Sequence, residues 1–389
     1  MPHSHVQQKV VGIIGSGLVG EKPFDRRSWS GLSYFFFTEC ERQGILHRAI
    51  GADLSRASRA TFMALNFSPN RRRWQTAYYT DPRYRQALTR EVSRQLRPDD
   101  FEHPFLQIGA MFDAPSLAVN GRPCFSYHDG NMAYMNRSPY AVKGLRPKAV
   151  ERGLAFERRV YHGLTTIFTM SEDLRQSFID DFDVPPERVK AVGAGMNLER
   201  LPEYLPNKDY SRRHVLFIGV DFERKGGWEV LRAFKNVRDR LPDAQLHIVG
   251  PNGLQIPPEL TAGVQYHGFL RKWDAHDVAT LDRLFRESSL FVMPSRYEPF
   301  GVAPLEAMIH QLPCVVTNDW GLKETVLEGE TGGLVECGNI DDLTAKLLQF
   351  LSDPDRLRRM GDRGRVRALE FTWERVVGRM KSHIETVIH

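Results

Sequence analysis

The stretch 290–309 constrains the fold more than any other part of this chain. Leu290-Phe291-Val292-Met293-Pro294 is a short apolar run closed by proline, the pattern of a buried strand. Pro304-Leu305-Glu306-Ala307-Met308-Ile309 reads as helix, with Pro304 as its first residue, where a missing N–H does no harm. Between them lies a turn with Pro299 and Gly301. A strand that runs through a loop into a helix N-terminus belongs to an α/β sheet, and open sheets of this kind bind ligands at the carboxyl ends of their strands. The N–H groups of Gly301, Val302 and Ala303 would point out of the helix start and suit a phosphate. Glu298 and Glu306 frame that point, with seven residues between them. A carboxylate accepts two hydroxyl hydrogen bonds, so either can hold a sugar or ribose diol. Phosphate donors between two diol acceptors describe a nucleotide-sugar site. The plainer alternative makes Glu298 a loop cap and Glu306 a first-turn acid favoured by the helix dipole.

These residues resemble family 4 of the retaining glycosyltransferases, which have the GT-B fold. The resemblance lies in the E-x7-E stretch with Phe300-Gly301 inside it and continues through Gln311-Leu312-Pro313-Cys314-Val315-Val316 and Gly321-Leu322-Lys323-Glu324-Thr325-Val326. It extends to Gly329-Glu330-Thr331-Gly332-Gly333-Leu334-Val335 and Phe371-Thr372-Trp373, covering about residues 165–389 well and the earlier half weakly. It implies two doubly wound Rossmann-like α/β domains facing a cleft. The expected division is an acceptor-side domain over 1–205, a nucleotide-sugar-binding domain over 206–372, and a last helix, 373–389, that crosses back to the first domain.

Length and composition agree with two domains: 389 residues, 41% hydrophobic and 26% charged. No apolar run approaches the ~18 residues of a membrane span, and the first eight residues lack the apolar core of a signal peptide. Cys40, Cys124, Cys314 and Cys337 have no metal-type spacing and read as reduced cysteines, so the expected setting is cytoplasmic, with peripheral contact at the inner membrane face left open. The net charge of +5 is uneven, since residues 1–205 carry +6. Residues 48–97 hold 11 arginines against Asp53, Asp81 and Glu91, which suits an anionic membrane surface, an acidic acceptor, or a solvated helical face. No recognised nucleic-acid-binding motif accompanies the charge.

Near the start, Lys9 to Ile14 is a buried strand running into Gly15-Ser16-Gly17-Leu18-Val19-Gly20, a literal G-x-G-x-x-G. A dinucleotide fold needs a helix starting inside that motif and an acid about 20 residues on. Pro23 interrupts any such helix, the next helix begins near Ser30, and the second strand ends at Asp53. The resemblance instead makes Gly15, Ser16 and Gly17 a loop near the acceptor and the donor phosphate, with Trp29 and Ser30 nearby. Trp29 reads equally as a sugar-stacking ring or as core. The strand Pro123 to Tyr127 ends in His128-Asp129, and relatives carry a His or Asp here near the transferred sugar. His128 and Asp129 compete for that role.

Residues 201–212 read as a linker. After the strand His214–Gly219, Lys225 holds the family's lysine position, but the usual arginine position is Val220, so Arg224 is the substitute. Arg224, Lys225 and Gly226 at a helix start would bind the diphosphate, together with Phe300, Gly301, Val302 and Ala303. The resemblance gives Glu306 to the ribose and Glu298 to a donor-sugar hydroxyl. It places His267, Gly268 and Phe269 by the nucleobase, Phe269 being equally readable as core.

The expected reaction is transfer of a hexose from a UDP- or GDP-sugar to a carbohydrate, lipid-linked or small-molecule hydroxyl with retention, without metal or other cofactor. Alternatives are a nucleotide-sugar epimerase of the same fold, or an NAD-dependent oxidoreductase using Gly15 to Gly20.

Overall fold

The structure, a computed structural model, describes residues 9–15, 22–139, 141 and 144–388, and for Trp29 and Ser30 the backbone alone. The chain divides into two compact units, residues 1–195 with 373–389, and residues 196–372.

The first unit is a six-stranded parallel sheet. Its strands are β1 (Val10–Gly15), β2 (Leu46–Ala52), β3 (Phe105–Ile108), β4 (Cys124–His128), β5 (Thr166–Thr169) and β6 (Val189–Ala191), in the order β2-β1-β3-β4-β5-β6. The four inner strands, β1, β3, β4 and β5, are buried throughout because helices cover both faces of a parallel sheet, while the edge strands β2 and β6 carry His47, Arg48 and Lys190. Between β2 and β3 lie three helices, Arg56–Leu65, Arg71–Thr80 and Pro82–Gln95, capped by Ser55, Asn70 and Asp81. They carry most of the arginines of 48–97.

The last helix, Trp373–Ile388, belongs to this unit. Trp373 is buried, with its ring 5.7 Å from Phe36 and 6.4 Å from Tyr127. The indole lies so close to Gly195 that a Cβ there would meet it at 2.3 Å. Further along, Arg379 Nε donates to Val192 O at 3.0 Å and His383 Nε2 meets Thr166 Oγ1 at 3.1 Å.

The second unit is also a six-stranded parallel sheet. Its strands are β7 (His214–Ile218), β8 (Gln245–Val249), β9 (Val264–Tyr266), β10 (Leu290–Met293), β11 (Cys314–Thr317) and β12 (Gly332–Val335), in the order β12-β11-β10-β7-β8-β9. The chain builds outward from β7 to β9, then returns to β10 on the other side of β7 and builds outward again. The connections that leave β7 and β10 therefore run to opposite sides of the sheet, which makes this the topological switch point. Both loops carry the residues singled out in the sequence.

Two local expectations need correction. The helix after β10 is Val302–Ile309, with Gly301 as N-cap, so Pro304 is its third residue. Pro304 still falls among the first four residues, whose N–H groups have no intrahelical partner, so the turn tolerates it. Residues 201–212 are built into the second unit. Leu205 N donates to Gln311 Oε1 at 2.7 Å, Tyr210 OH to Gln311 O at 2.7 Å, and the buried Lys208 Nζ to Phe285 O at 2.8 Å. Proline content marked an irregular backbone there, but its polar groups are anchored.

Trp373→Ala should destabilise the first unit by about 3–5 kcal/mol, the range for a buried large aromatic. Urea unfolding followed by tryptophan fluorescence and circular dichroism measures this.

Candidate active site

The site in the second unit is made by two short loops stitched together. After β7, residues 219–226 fold as tight turns: Lys225 N donates to Asp221 O at 2.9 Å and Gly227 N to Phe222 O at 2.8 Å. Arg296 N then donates to Arg224 O at 2.8 Å, and Ser295 Oγ to the same carbonyl at 3.1 Å, tying the loop after β10 to the loop after β7. Gly226 is required at this junction. Its φ is +77°, and a Cβ would stand 2.3 Å from Pro294 O. It is the N-cap of the helix Gly227–Arg238. Trp320 braces the far side, with Nε1 donating to Arg296 O at 3.0 Å and its ring 5.0 Å edge-on from Tyr297.

This stitching converges three predicted residues on one point. Lys225 Nζ and Arg224 Nη1 both address Glu298 Oε2, the lysine in close contact and the arginine at 3.4 Å. Arg224 Nη1 also donates to Tyr297 O at 2.7 Å, and its Nε lies 3.3 Å from Asp221 Oδ2. Arg224 thus lies beside Lys225 on the same carboxylate, while Val220, where the resemblance would put an arginine, is exposed. Burial pulls the Lys225 ammonium below its ordinary range. Glu298 opposes that shift and Arg224 adds to it. With Glu298 and Asp221 included, the group is close to neutral.

Gly301 starts the second helix of the site with φ +106° and no side-chain cap. A Cβ there would meet Leu322 Cδ2 at 2.8 Å. Val302 and Ala303 in the first turn are half-exposed, so their uncapped N–H groups face an accessible edge. Phe300, placed in the donor site by resemblance, turns its ring into the core, 5.6 Å from Phe371, so its side chain is not offered to a ligand.

Glu306 lies one and a half turns along this helix and is 3% exposed. His310 Nδ1 donates to its backbone carbonyl at 2.7 Å, and the His310 ring stacks on Phe285. Its carboxylate pairs with Lys272, a residue the sequence reading missed. Lys272 sits in the irregular loop after β9, where no periodicity or motif marks a single lysine.

The nucleobase group divides. His267 is half-buried, with Nε2 3.2 Å from His247 Nδ1 and its ring stacked on that histidine. Gly268 has φ +69°, and the N–H of Phe269 donates to Asn252 Oδ1 at 3.2 Å. The ring of Phe269 remains exposed.

In the first unit, His128 is buried, with Nε2 2.9 Å from Ser126 Oγ and its ring edge-on to Tyr161 and Phe178. Burial pushes it down to about 3, so it stays neutral. It fills the core, and the half-buried Asp129 is the strand-end residue nearer the surface. Gly15 is the last residue of β1, packed against Ala52 and Phe112. Ser16 and Gly17 lie outside the described residues, as do the side chains of Trp29 and Ser30. The helix after this region is Leu32–Arg42, and Asp53, which follows β2 too far from the motif for a dinucleotide fold's ribose acid, pairs with Arg59. Among the described residues, one group could gather metal ligands, His47, Asp99 and Asp100. Arg48 already engages both oxygens of Asp100.

The second unit thus sets two cations, an uncapped helix start and two carboxylates on the loops and helices that follow β7 and β10 of a doubly wound parallel sheet. Comparisons with known proteins bear on the fold and the family. Residues 206–367 match the family model described as Glycosyl transferases group 1. The chain is 30% identical over 258 residues to the MMP alpha-(1->4)-mannosyltransferase of Mycolicibacterium hassiacum, covering 64% of this chain and 61% of that one. It is 27% identical over 249 residues to the D-inositol 3-phosphate glycosyltransferase of Corynebacterium glutamicum, covering 58% of each. The chain thus spans about six tenths of the length of these curated relatives. Among solved structures it resembles the sucrose-phosphate synthase of Thermosynechococcus elongatus, with TM-score 0.69 and 16% identity over 98% of this chain and 99% of that one. It also resembles Anabaena HepE in complex with UDP, with TM-score 0.67 and 16% identity over 97% and 100%. The fold is therefore that of the GT-B glycosyltransferases.

The histidine cluster gives a testable pH dependence. Burial holds His247 at about 4, with His214, His267 and Arg283 adding positive charge around it, and His214 and His267 are also lowered by burial. Unfolded histidine takes up its proton near ~6.5, so below that pH the unfolded state binds more protons. The stability these groups contribute is present above that value and falls as pH drops towards 4. His247→Asn should flatten this slope in urea midpoints measured from pH 7 to 4.5.

Proposed function

We propose that this chain is a retaining glycosyltransferase of family 4 type, moving a hexose from a UDP- or GDP-sugar to an acceptor hydroxyl. The observation that carries the reading is the convergence of Arg224, Lys225 and the uncapped start at Gly301–Ala303 with Glu298 and Glu306 at one switch point. The relatives' names and the UDP held by HepE point the same way.

In this reading the diphosphate lies against Arg224, Lys225 and the amides of Gly301, Val302 and Ala303. Lys225 exchanges Glu298 for a phosphate oxygen, which frees Glu298 to accept from a donor-sugar hydroxyl. Glu306 accepts from the ribose. The bond from the anomeric carbon to the phosphate oxygen breaks, and the bond from that carbon to the acceptor oxygen forms on the same face. The acceptor proton passes to the departing phosphate oxygen. Charge develops on the diphosphate as the sugar approaches an oxocarbenium ion, and the fixed cations and amide dipoles stabilise it. These groups do the work without a metal. The acceptor is taken by the first unit, whose strand ends carry Gly15 and Asp129.

Among the described residues no helix is long and apolar enough to cross a membrane. The first unit does expose Leu65 and Phe67 beside Arg71, Arg72 and Arg73, and we assign this surface to peripheral contact with anionic lipid. Reversing those three charges should abolish sedimentation with anionic liposomes. Unchanged binding refutes the contact.

A thermal-shift panel of UDP, GDP, ADP and NAD with their sugar forms fixes the donor class, because binding raises the melting point by mass action. Lys225→Ala and Glu306→Ala should each lower donor turnover by roughly 10²-fold or more. If both variants keep full turnover, or if NAD alone shifts the melting point, the reading fails.

A further inference from the structure

Lys272 stands in the loop that joins β9 to the helix Ala275–Glu287. Its Nζ lies 2.5 Å from Glu306 Oε1. The carboxylate side chain is 4% exposed and that of the lysine 42%, so the pair joins the interior to the surface. The loop on either side of the lysine is pinned. The backbone N and Nε of Arg271 each donate to Asp277 Oδ2 at 2.9 Å, and Asp274 Oδ1 accepts from the N–H groups of His276 and Asp277 at 3.1 Å. Lys272 is therefore aimed at Glu306 by a fixed backbone. Of its three N–H donors Glu306 takes one, and Nζ has no other hydrogen-bond or ion-pair partner among the described residues. The same loop presents two exposed rings, Phe269 and Trp273, 6.4 Å apart.

A carboxylate only accepts and an ammonium only donates, whereas a hydroxyl does both. Placed side by side at the mouth of a site, the two charged groups complement a single C–O–H. Its proton goes to the carboxylate and its lone pair takes an N–H. Aromatic rings flanking such a pair offer a face on which a base can stack.

We propose that Lys272 is a nucleotide-binding residue that recognises ribose jointly with Glu306. It keeps one N–H on Glu306 Oε1 and gives a second to the oxygen of the ribose hydroxyl whose proton Glu306 accepts. The ligand class is a ribonucleoside diphosphate or its sugar, with the base laid on the Phe269–Trp273 side of the loop. This rests on the assignment of Glu306 to ribose made above. A site built around a hydroxyl discriminates against the analogue that lacks it, because the carboxylate then loses a proton to accept and a second N–H of Lys272 loses its acceptor, although the two charges stay paired.

The test is isothermal titration of the full chain with UDP and GDP and with their 2′,3′-dideoxy forms, for wild type, Lys272→Met and Lys272→Arg. Wild type should bind at least one ribonucleoside diphosphate roughly tenfold or more tighter than its dideoxy form. Lys272→Met should bring that ratio to within about threefold by weakening the ribo form, and Lys272→Arg should restore part of it because it keeps the donors. Equal melting points of the three proteins establish that the fold is intact. Equal weakening of ribo and dideoxy forms would mean that Lys272 only shapes the loop, and an unchanged ratio would mean that it does not touch ribose. Either overturns this inference alone. If wild type binds neither UDP nor GDP, the donor assignment fails with it.

Discussion

The contact of Lys225 and Arg224 with Glu298 joins the two loops that leave neighbouring strands at the switch point. The three groups are partly buried, so removing one leaves charge that water only partly compensates. The loops are therefore held together by the charges they would offer to a ligand. Backbone hydrogen bonds through Arg224 O and the close approach of Gly226 to Pro294 fix the spacing, and the ion pairs fill it. Glu306 follows the same logic, as a buried carboxylate whose charge is matched from a neighbouring loop by Lys272. Both acids are thus matched by cations of the protein itself.

The parallel sheets were legible in the sequence because buried parallel strands are short apolar runs that end abruptly at glycine or proline. Leu290–Met293 and its helix are one example, and the E-x7-E spacing fixed where both acids would stand relative to the helix start. Lys225 and Arg224 could be singled out, since they sit directly before a glycine-capped helix, but their pairing with Glu298 could not. Lys272 could not be singled out. Its role depends on a loop returning from β9 across many residues, and such a contact leaves no periodic trace in sequence. Side-chain direction was the other blind spot. His128, His267 and Phe300 stand at strand ends or loops where a site is expected, yet the rings of His128 and Phe300 pack on aromatic neighbours and that of His267 on His247. Residue type and position were right for a site, and packing decided otherwise. The prolines of 201–212 failed for a related reason, because an irregular backbone was taken for a free one.

The literal G-x-G-x-x-G near the start shows how context outranks a motif. From Lys22 onward the described chain makes turns, Asp25 N to Lys22 O and Ser28 N to Asp25 O, before the helix Leu32–Arg42 begins. Asp53 is committed to Arg59. In the second unit the glycines at 226 and 301 serve close approach and left-handed backbone at two helix starts.

The position of Trp373 has a consequence for how the molecule is made. The indole completes a core formed by Phe36, Tyr127 and Gly195, yet it is translated after the whole of residues 196–372. Domains generally fold as units, with N-terminal ones first as the chain emerges. Here the unit that emerges first lacks a large ring of its interior until the second unit has already been synthesised. Its aromatic pocket stays open through that interval, exposing apolar surface that a chaperone, or another nascent chain, would meet before the protein's own last helix does.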